Sequence, residues 1–130
     1  MDGSPVLVDS SFYIGKIRAG QDPLQALAVT ALSRDLVTCG IVRCEVARGI
    51  RDKNILARFQ RFWDVMIYVP TDNSMWQDIE TTAWNLDRAG RIIPLTDVII
   101  GCCARRAGAA VLTFDKHFYE IPGIRVTREV

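Results

Sequence analysis

Histidine is almost missing from this chain: among 130 residues, His117 is the only one. Its four cysteines, Cys39, Cys44, Cys102 and Cys103, form no Cys-x-x-Cys pair. That excludes the ligand spacing of a structural zinc site. The adjacent Cys102 and Cys103 sit in an apolar run and read as small buried hydrophobes, and a reduced, cytoplasmic setting is the default expectation for them. Long apolar runs are also missing. The longest, residues 98–104, is far too short to span a membrane, and Met1 to Val8 lacks the basic start and apolar stretch of a signal peptide. No charge of one sign dominates: 16 Lys and Arg against 15 Asp and Glu leave a net +1. Such a balance excludes a protein that coats nucleic acid nonspecifically, so any such substrate needs a local basic patch. No glycine-rich loop follows a candidate strand, and the first strand carries no Asp-x-Asp. Both absences argue against phosphoryl transfer on a small molecule.

What is present is an ordinary globular balance, 49% hydrophobic and 24% charged, in a length that fits one domain over residues 1–130. Pro5-Val-Leu-Val8 is a wholly apolar run that predicts a buried parallel strand. Asp9, Ser10 and Ser11 can each cap the helix expected from Phe12 to about Ala19. Asp22-Pro23 opens a second helix, with Leu24, Leu27, Ala28, Ala31 and Leu32 at helical spacing. Leu36 to Cys39 is the next strand, followed by a helix over 41–50. Asn54 is the expected cap of a helix burying Phe59, Phe62, Trp63 and Met66. Ile67-Tyr68-Val69 is a third strand, stopped by Pro70. The periodicity of residues 75–89 predicts an amphipathic helix with Trp76, Ile79, Ala83 and Leu86 on its inner face. Pro94 to Asp97 introduces a helix that closes at Gly108, and strands are expected over 111–113 and 124–127. Strands alternating with helices predict an α/β domain: a central parallel sheet flanked by helices.

In such sheets, ligands bind beyond the carboxyl ends of the strands. Asp9 ends the first strand, and Asp115 lies just past the strand over 111–113. Glu45 lies early in the helix after the second strand, and Asp97 at the start of another. Singly, Asp9 and Asp97 read as helix caps, Asp115 as a turn residue and Glu45 as a solvated position. Together, all four carboxylates fall on one rim, with no nucleophilic triad to compete. Clustered carboxylates repel one another unless a cation compensates. Oxygen-only donors suit Mg²⁺ or Mn²⁺, which can acidify water and offset charge on a phosphodiester. Metal-assisted phosphodiester hydrolysis is the reaction class these residues point to.

Val6-Leu-Val-Asp-Ser-Ser11, Val42-Arg-Cys-Glu-Val-Ala47, Asp97-Val-Ile-Ile-Gly101 and Leu112-Thr-Phe-Asp-Lys-His-Phe118 resemble the ordered motifs of PIN domains. The closing Ile121-Pro-Gly-Ile-Arg-Val126 resembles that family's last turn and strand. The likeness spans essentially the whole chain and is nearest to the VapC-type toxins of bacterial toxin–antitoxin pairs. It implies a doubly wound, flavodoxin-like sheet and endonucleolytic cleavage of RNA. It also implies Asp9, Glu45, Asp97 and Asp115 as the Mg²⁺- or Mn²⁺-binding catalytic set, with Ser10 and Thr113 in supporting hydrogen bonds. A homodimer and an antitoxin that blocks the acidic site are further implications. Arg43 and Cys44 before Glu45, and Gly101 in place of a commoner alanine, depart from the pattern without removing a ligand.

Residues 34–61 hold seven Lys or Arg (Arg34, Arg43, Arg48, Arg51, Lys53, Arg58 and Arg61) against Asp35, Glu45 and Asp52, a local +4. This stretch, with Arg43, Arg48 and Arg51 foremost, is either a path for RNA phosphates toward Glu45 or a solvated helical face. Trp63 and Trp76 are expected in the core, while Trp84 fits either core or surface. His117 is expected as a surface turn residue, since metal-activated water needs no histidine base. The rival to catalysis is a PIN-like scaffold that binds RNA or protein without cutting.

Overall fold

The computed structural model describes residues 3–129; Met1 and Asp2, part of the leader reading above, and Val130 lie outside them. Val6–Val8 (β1) is three fully buried apolar residues. It pairs in parallel with Leu36–Cys39 (β2) on one side and Ala110–Leu112 (β4) on the other. Ile67–Val69 (β3) joins β2, and Val126–Thr127 (β5) joins β4, giving an all-parallel sheet in the order β3-β2-β1-β4-β5. Parallel neighbours need crossovers, and the helices supply them. These are Ser10–Arg18 (α1), Pro23–Thr30 (α2), Gly40–Ala47 (α3), Lys53–Asp64 (α4), Asn73–Arg88 (α5) and Leu95–Ala107 (α6), with a 3₁₀ turn over Lys116–Glu120.

The chain winds outward from β1 through β2 to β3, then returns to the other side of β1 for β4 and β5. The strand order therefore reverses between β1 and β4, where the doubly wound fold opens a crevice at the carboxyl edge. Val8 and Leu112 are partners in that register, and the Asp9 N–H donates to the Leu112 carbonyl at 2.9 Å. The first residues beyond the paired strands, Asp9 and Thr113, therefore emerge side by side.

Helix starts follow from side-chain caps. Asp9, Asp22 and Asp72 accept N–H groups at α1, α2 and α5, and Pro23 takes the first turn of α2. Asp52, not Asn54, caps α4: its carboxylate accepts the N–H groups of Asn54 and Ile55. Gly108 ends α6 with φ of 63°, a left-handed conformation that side-chain-bearing residues rarely adopt. The core is a single cluster over both sheet faces, in which Tyr13 and Phe59 pack edge-on to Trp63 at 6.0 and 5.7 Å between ring centres.

Two expectations about burial change. Trp76 is 47% exposed, because α5 buries Met75, Ile79, Thr82 and Leu86. That face shares Ile79 and Leu86 with the expected one but is rotated away from Trp76. Leu32 is 86% exposed, since α2 stops at Thr30 and the chain turns there. Trp84 is exposed on α5 and carries the Arg88 guanidinium 4.8 Å from its ring centre. Among the described residues, no helix is long and apolar enough to cross a membrane.

Candidate metal centre

Asp9 is almost fully buried at the end of β1, where its carboxylate also caps α1. One oxygen, Oδ2, accepts the Ser11 N–H at 3.3 Å and the Thr113 hydroxyl at 2.8 Å. Because Thr113 spends its one proton on Asp9, the 3.0 Å contact between the Ser11 and Thr113 hydroxyls has Ser11 as donor. Ser11 Oγ in turn accepts the Phe114 N–H at 3.0 Å, and Thr113 Oγ1 accepts the Asp115 N–H at 2.9 Å. This ordered network clamps β1 to the segment after β4 and leaves Oδ1 of Asp9 turned toward Ser10, 3.4 Å from its hydroxyl.

Glu45 lies in the second turn of α3, which starts directly after β2 and so shares the carboxyl edge. The Ser10 hydroxyl donates to Glu45 at 3.0 Å and thereby joins it to the Asp9 side of the site. Burial raises the Glu45 carboxyl above its ordinary value; the Ser10 hydroxyl and Arg48 oppose that shift, and the Asp9 charge adds to it.

Helix α6 runs back beneath the sheet toward β4, so its N-terminus lies at the same edge. Asp97 sits in its first turn, with Pro94 in the cap position. Its role as a cap is therefore corrected: no side chain caps this helix. Asp97 is buried, and burial first and the neighbouring Asp115 charge second push its carboxyl up to about 7. A helix N-terminus ordinarily favours the carboxylate. Here crowding and desolvation outweigh that dipole.

Asp115 caps the 3₁₀ turn, accepting the His117 N–H at 2.9 Å. That turn brings the His117 ring back over its own cap. Nδ1 of His117 lies 3.0 Å from Asp97 Oδ2 and 3.0 Å from Asp115 Oδ1. One donor atom from each of these three residues falls within 4.8 Å of the others. The Asp97 hydrogen bond raises the His117 pKa above its ordinary value. His117 is thus not a bystander on a surface turn, although its side chain is 44% exposed. Sequence reasoning placed His117 on a surface turn and named Ser11 only as a possible helix cap.

The four acidic residues therefore lie at the carboxyl edge in two groups: Glu45 with Asp9 through Ser10, and Asp97 with Asp115 beside His117. Asp9 bridges them, since its charge acts on both Glu45 and Asp97. Among the described residues, the atoms close enough to share one ion come from Asp97, Asp115 and His117, with the Asp9 charge acting on Asp97 from beside them; two carboxylates and an imidazole fit a divalent cation.

The basic stretch is less uniform than its sequence suggests. Arg43 pairs with Asp64 at 3.0 Å and lies 5.3 Å from the Trp63 ring centre, and Arg58 pairs with Asp22 at 2.6 Å. Arg34 donates to the Ser4 carbonyl at 2.9 Å. Arg48 and Arg51 are exposed at the end of α3 and just beyond it, and Arg48 acts electrostatically on Glu45.

Ribonuclease VapC6 of Mycobacterium tuberculosis is 31% identical over 114 residues, covering 82% of this chain and 89% of that protein. Among solved structures, DNA-bound VapBC from Salmonella typhimurium superposes with a TM-score of 0.78 at 21% identity, over 95% of this chain and 96% of that one. VapBC2 from Rickettsia felis, bound to a fragment of its promoter, gives 0.77 at 18% identity, over 95% and 97%. Residues 6–124, from the first strand to the turn before the last, match the PIN domain family. The chain belongs to the PIN-domain family.

Proposed function

We propose that this protein is an endoribonuclease that depends on Mg²⁺ or Mn²⁺ and serves as the toxin of a toxin–antitoxin pair. The observation that carries the reading is the gathering of Asp9, Glu45, Asp97 and Asp115 at the sheet's switch point, with Asp97 pushed up to about 7 by burial and by the Asp115 charge. A divalent cation, when bound, acidifies water and offsets negative charge on the phosphodiester.

The chain's own residues supply the rest. Asp9, Glu45, Asp97 and Asp115 hold the ion directly or through water. Thr113 fixes one Asp9 oxygen by donating to it, and Ser10 sets the Glu45 carboxylate. Arg48, whose charge acts on Glu45, and the exposed Arg51 offer phosphate contacts. Arg43 can join them only by exchanging Asp64 for phosphate.

The toxin role is supported by the ribonuclease relative and by solved neighbours that are VapBC complexes. An antitoxin partner, a homodimer and a cytoplasmic location belong to the same reading. A short neighbouring reading frame for a DNA-binding protein is the expected genomic correlate.

The test is cleavage of single-stranded RNA in Mg²⁺ or Mn²⁺ by the wild type, Asp9→Asn and Asp115→Asn. Wild-type cleavage lost in both folded variants supports the reading. Equal rates in all three make these carboxylates caps and overturn it.

A further inference from the structure

Two of the four acidic residues, Asp9 and Glu45, are joined through the Ser10 hydroxyl. The other two, Asp97 and Asp115, share an imidazole, that of His117. Asp115 caps the 3₁₀ turn through the His117 N–H, so backbone geometry fixes where the His117 side chain starts. From there Nδ1 faces the two carboxylates while the ring as a whole stays partly exposed. Its Nδ1 is 3.0 Å from an oxygen of each.

A hydrogen bond accounts for one such approach. A single Nδ1 can direct its lone proton or lone pair at only one oxygen well, yet two oxygens from different elements stand at the same distance. Adjacent donors around an octahedral ion at about 2.1 Å lie roughly 3 Å apart, because the edge of an octahedron is √2 times its radius. The spacing of Nδ1 from both carboxylates is thus that of neighbouring donors around one ion. The tautomer needed, with the proton on Nε2, points that N–H outward on a ring that is 44% exposed.

We infer that His117 is a nitrogen donor to the divalent cation, and that it biases the site toward Mn²⁺ over Mg²⁺. The inference rests on the metal-dependent reading above and deepens it. Imidazole nitrogen is a borderline donor that Mn²⁺ accepts readily, whereas Mg²⁺ keeps oxygen ligands and water. Removing a direct ligand should therefore act unequally on the two ions. Removing a mere hydrogen-bonding neighbour should act on both alike.

The experiment measures Mn²⁺ and Mg²⁺ affinity by calorimetry for the wild type and His117→Ala, and records pulsed electron paramagnetic resonance of the Mn²⁺-loaded wild type. The spectrum needs no variant, so a folding defect in His117→Ala does not remove the test. Expected are a nitrogen hyperfine coupling in the wild type, a loss of about tenfold or more in Mn²⁺ affinity on substitution, and a change under about twofold for Mg²⁺. A Mn²⁺ complex without nitrogen coupling, or equal losses for both ions, overturns the role of His117 and leaves the metal-dependent reading standing. Failure of the wild type to bind either ion overturns both.

Discussion

Replacing Asp97 by Asn isolates the electrostatic cost stored at the site. The Asp97 carboxyl is held at about 7, against about 3.9 in an unfolded chain. The folded state therefore holds a proton that the unfolded state has released, and stability falls as pH rises from about 4 to about 7, then levels off. Fully shielded, that difference is roughly 4 kcal/mol; solvent at the open site screens about half, leaving about 2 kcal/mol. His117 acts with the same sign, because its raised pKa gives a stabilising imidazolium below about 6.5 that is lost as pH rises through the folded value. Asn at position 97 cannot ionise, so it should remove the Asp97 part of the decline and leave only what Asp115 sustains at His117. In chelator at pH 8, Asp97→Asn should be more stable than the wild type by about 2 kcal/mol, or about 6 °C in Tm, and equal to it near pH 4. Urea melts at both pH values measure this. Adding cation should reverse the order: the wild type gains about 2.7 kcal/mol at a hundredfold excess over Kd, and the variant gains less. A variant less stable than the wild type at pH 8 in chelator, or a gap that ignores pH, refutes the argument.

Two further outcomes follow from other contacts. Thr113→Val keeps shape but removes the donor to Asp9 and the acceptor for Asp115 N–H and Ser11, all buried or half-buried; urea denaturation should show a loss of about 2–3 kcal/mol. Reversing Arg48 and Arg51 to Glu should weaken RNA binding most at low salt and flatten the salt slope by roughly one per lost phosphate contact, with a cooperative melt retained. An unchanged slope marks these arginines as a solvated face.

Much of this site was legible because its signals are local. Asp9 directly follows three consecutive buried apolar residues, and Asp115 lies three residues past another such run, so each marks a strand end in the sequence. Ser11 and His117 were not legible in the same way. The partner of Ser11 lies 102 residues away and meets it only because β1 and β4 are neighbours, a pairing no local pattern encodes. His117 owes its place to a cap that folds the chain back on itself, where sequence suggests only a turn. Trp76 shows a different failure. Two helical faces of α5 share Ile79 and Leu86, and periodicity alone cannot choose between Met75 and Trp76 at the next turn. The basic stretch was legible only as a charge count: counts ignore partners, and Asp64 and Asp22, which pair with Arg43 and Arg58, lie outside the stretch.

The most direct test of the central claim uses a circular single-stranded RNA, which has no end for an exonuclease to enter. Wild-type protein with Mg²⁺ or Mn²⁺ should open the circle to linear RNA, and a chelator should stop it. A circle left intact in both cations, or opened equally well in chelator, contradicts the account.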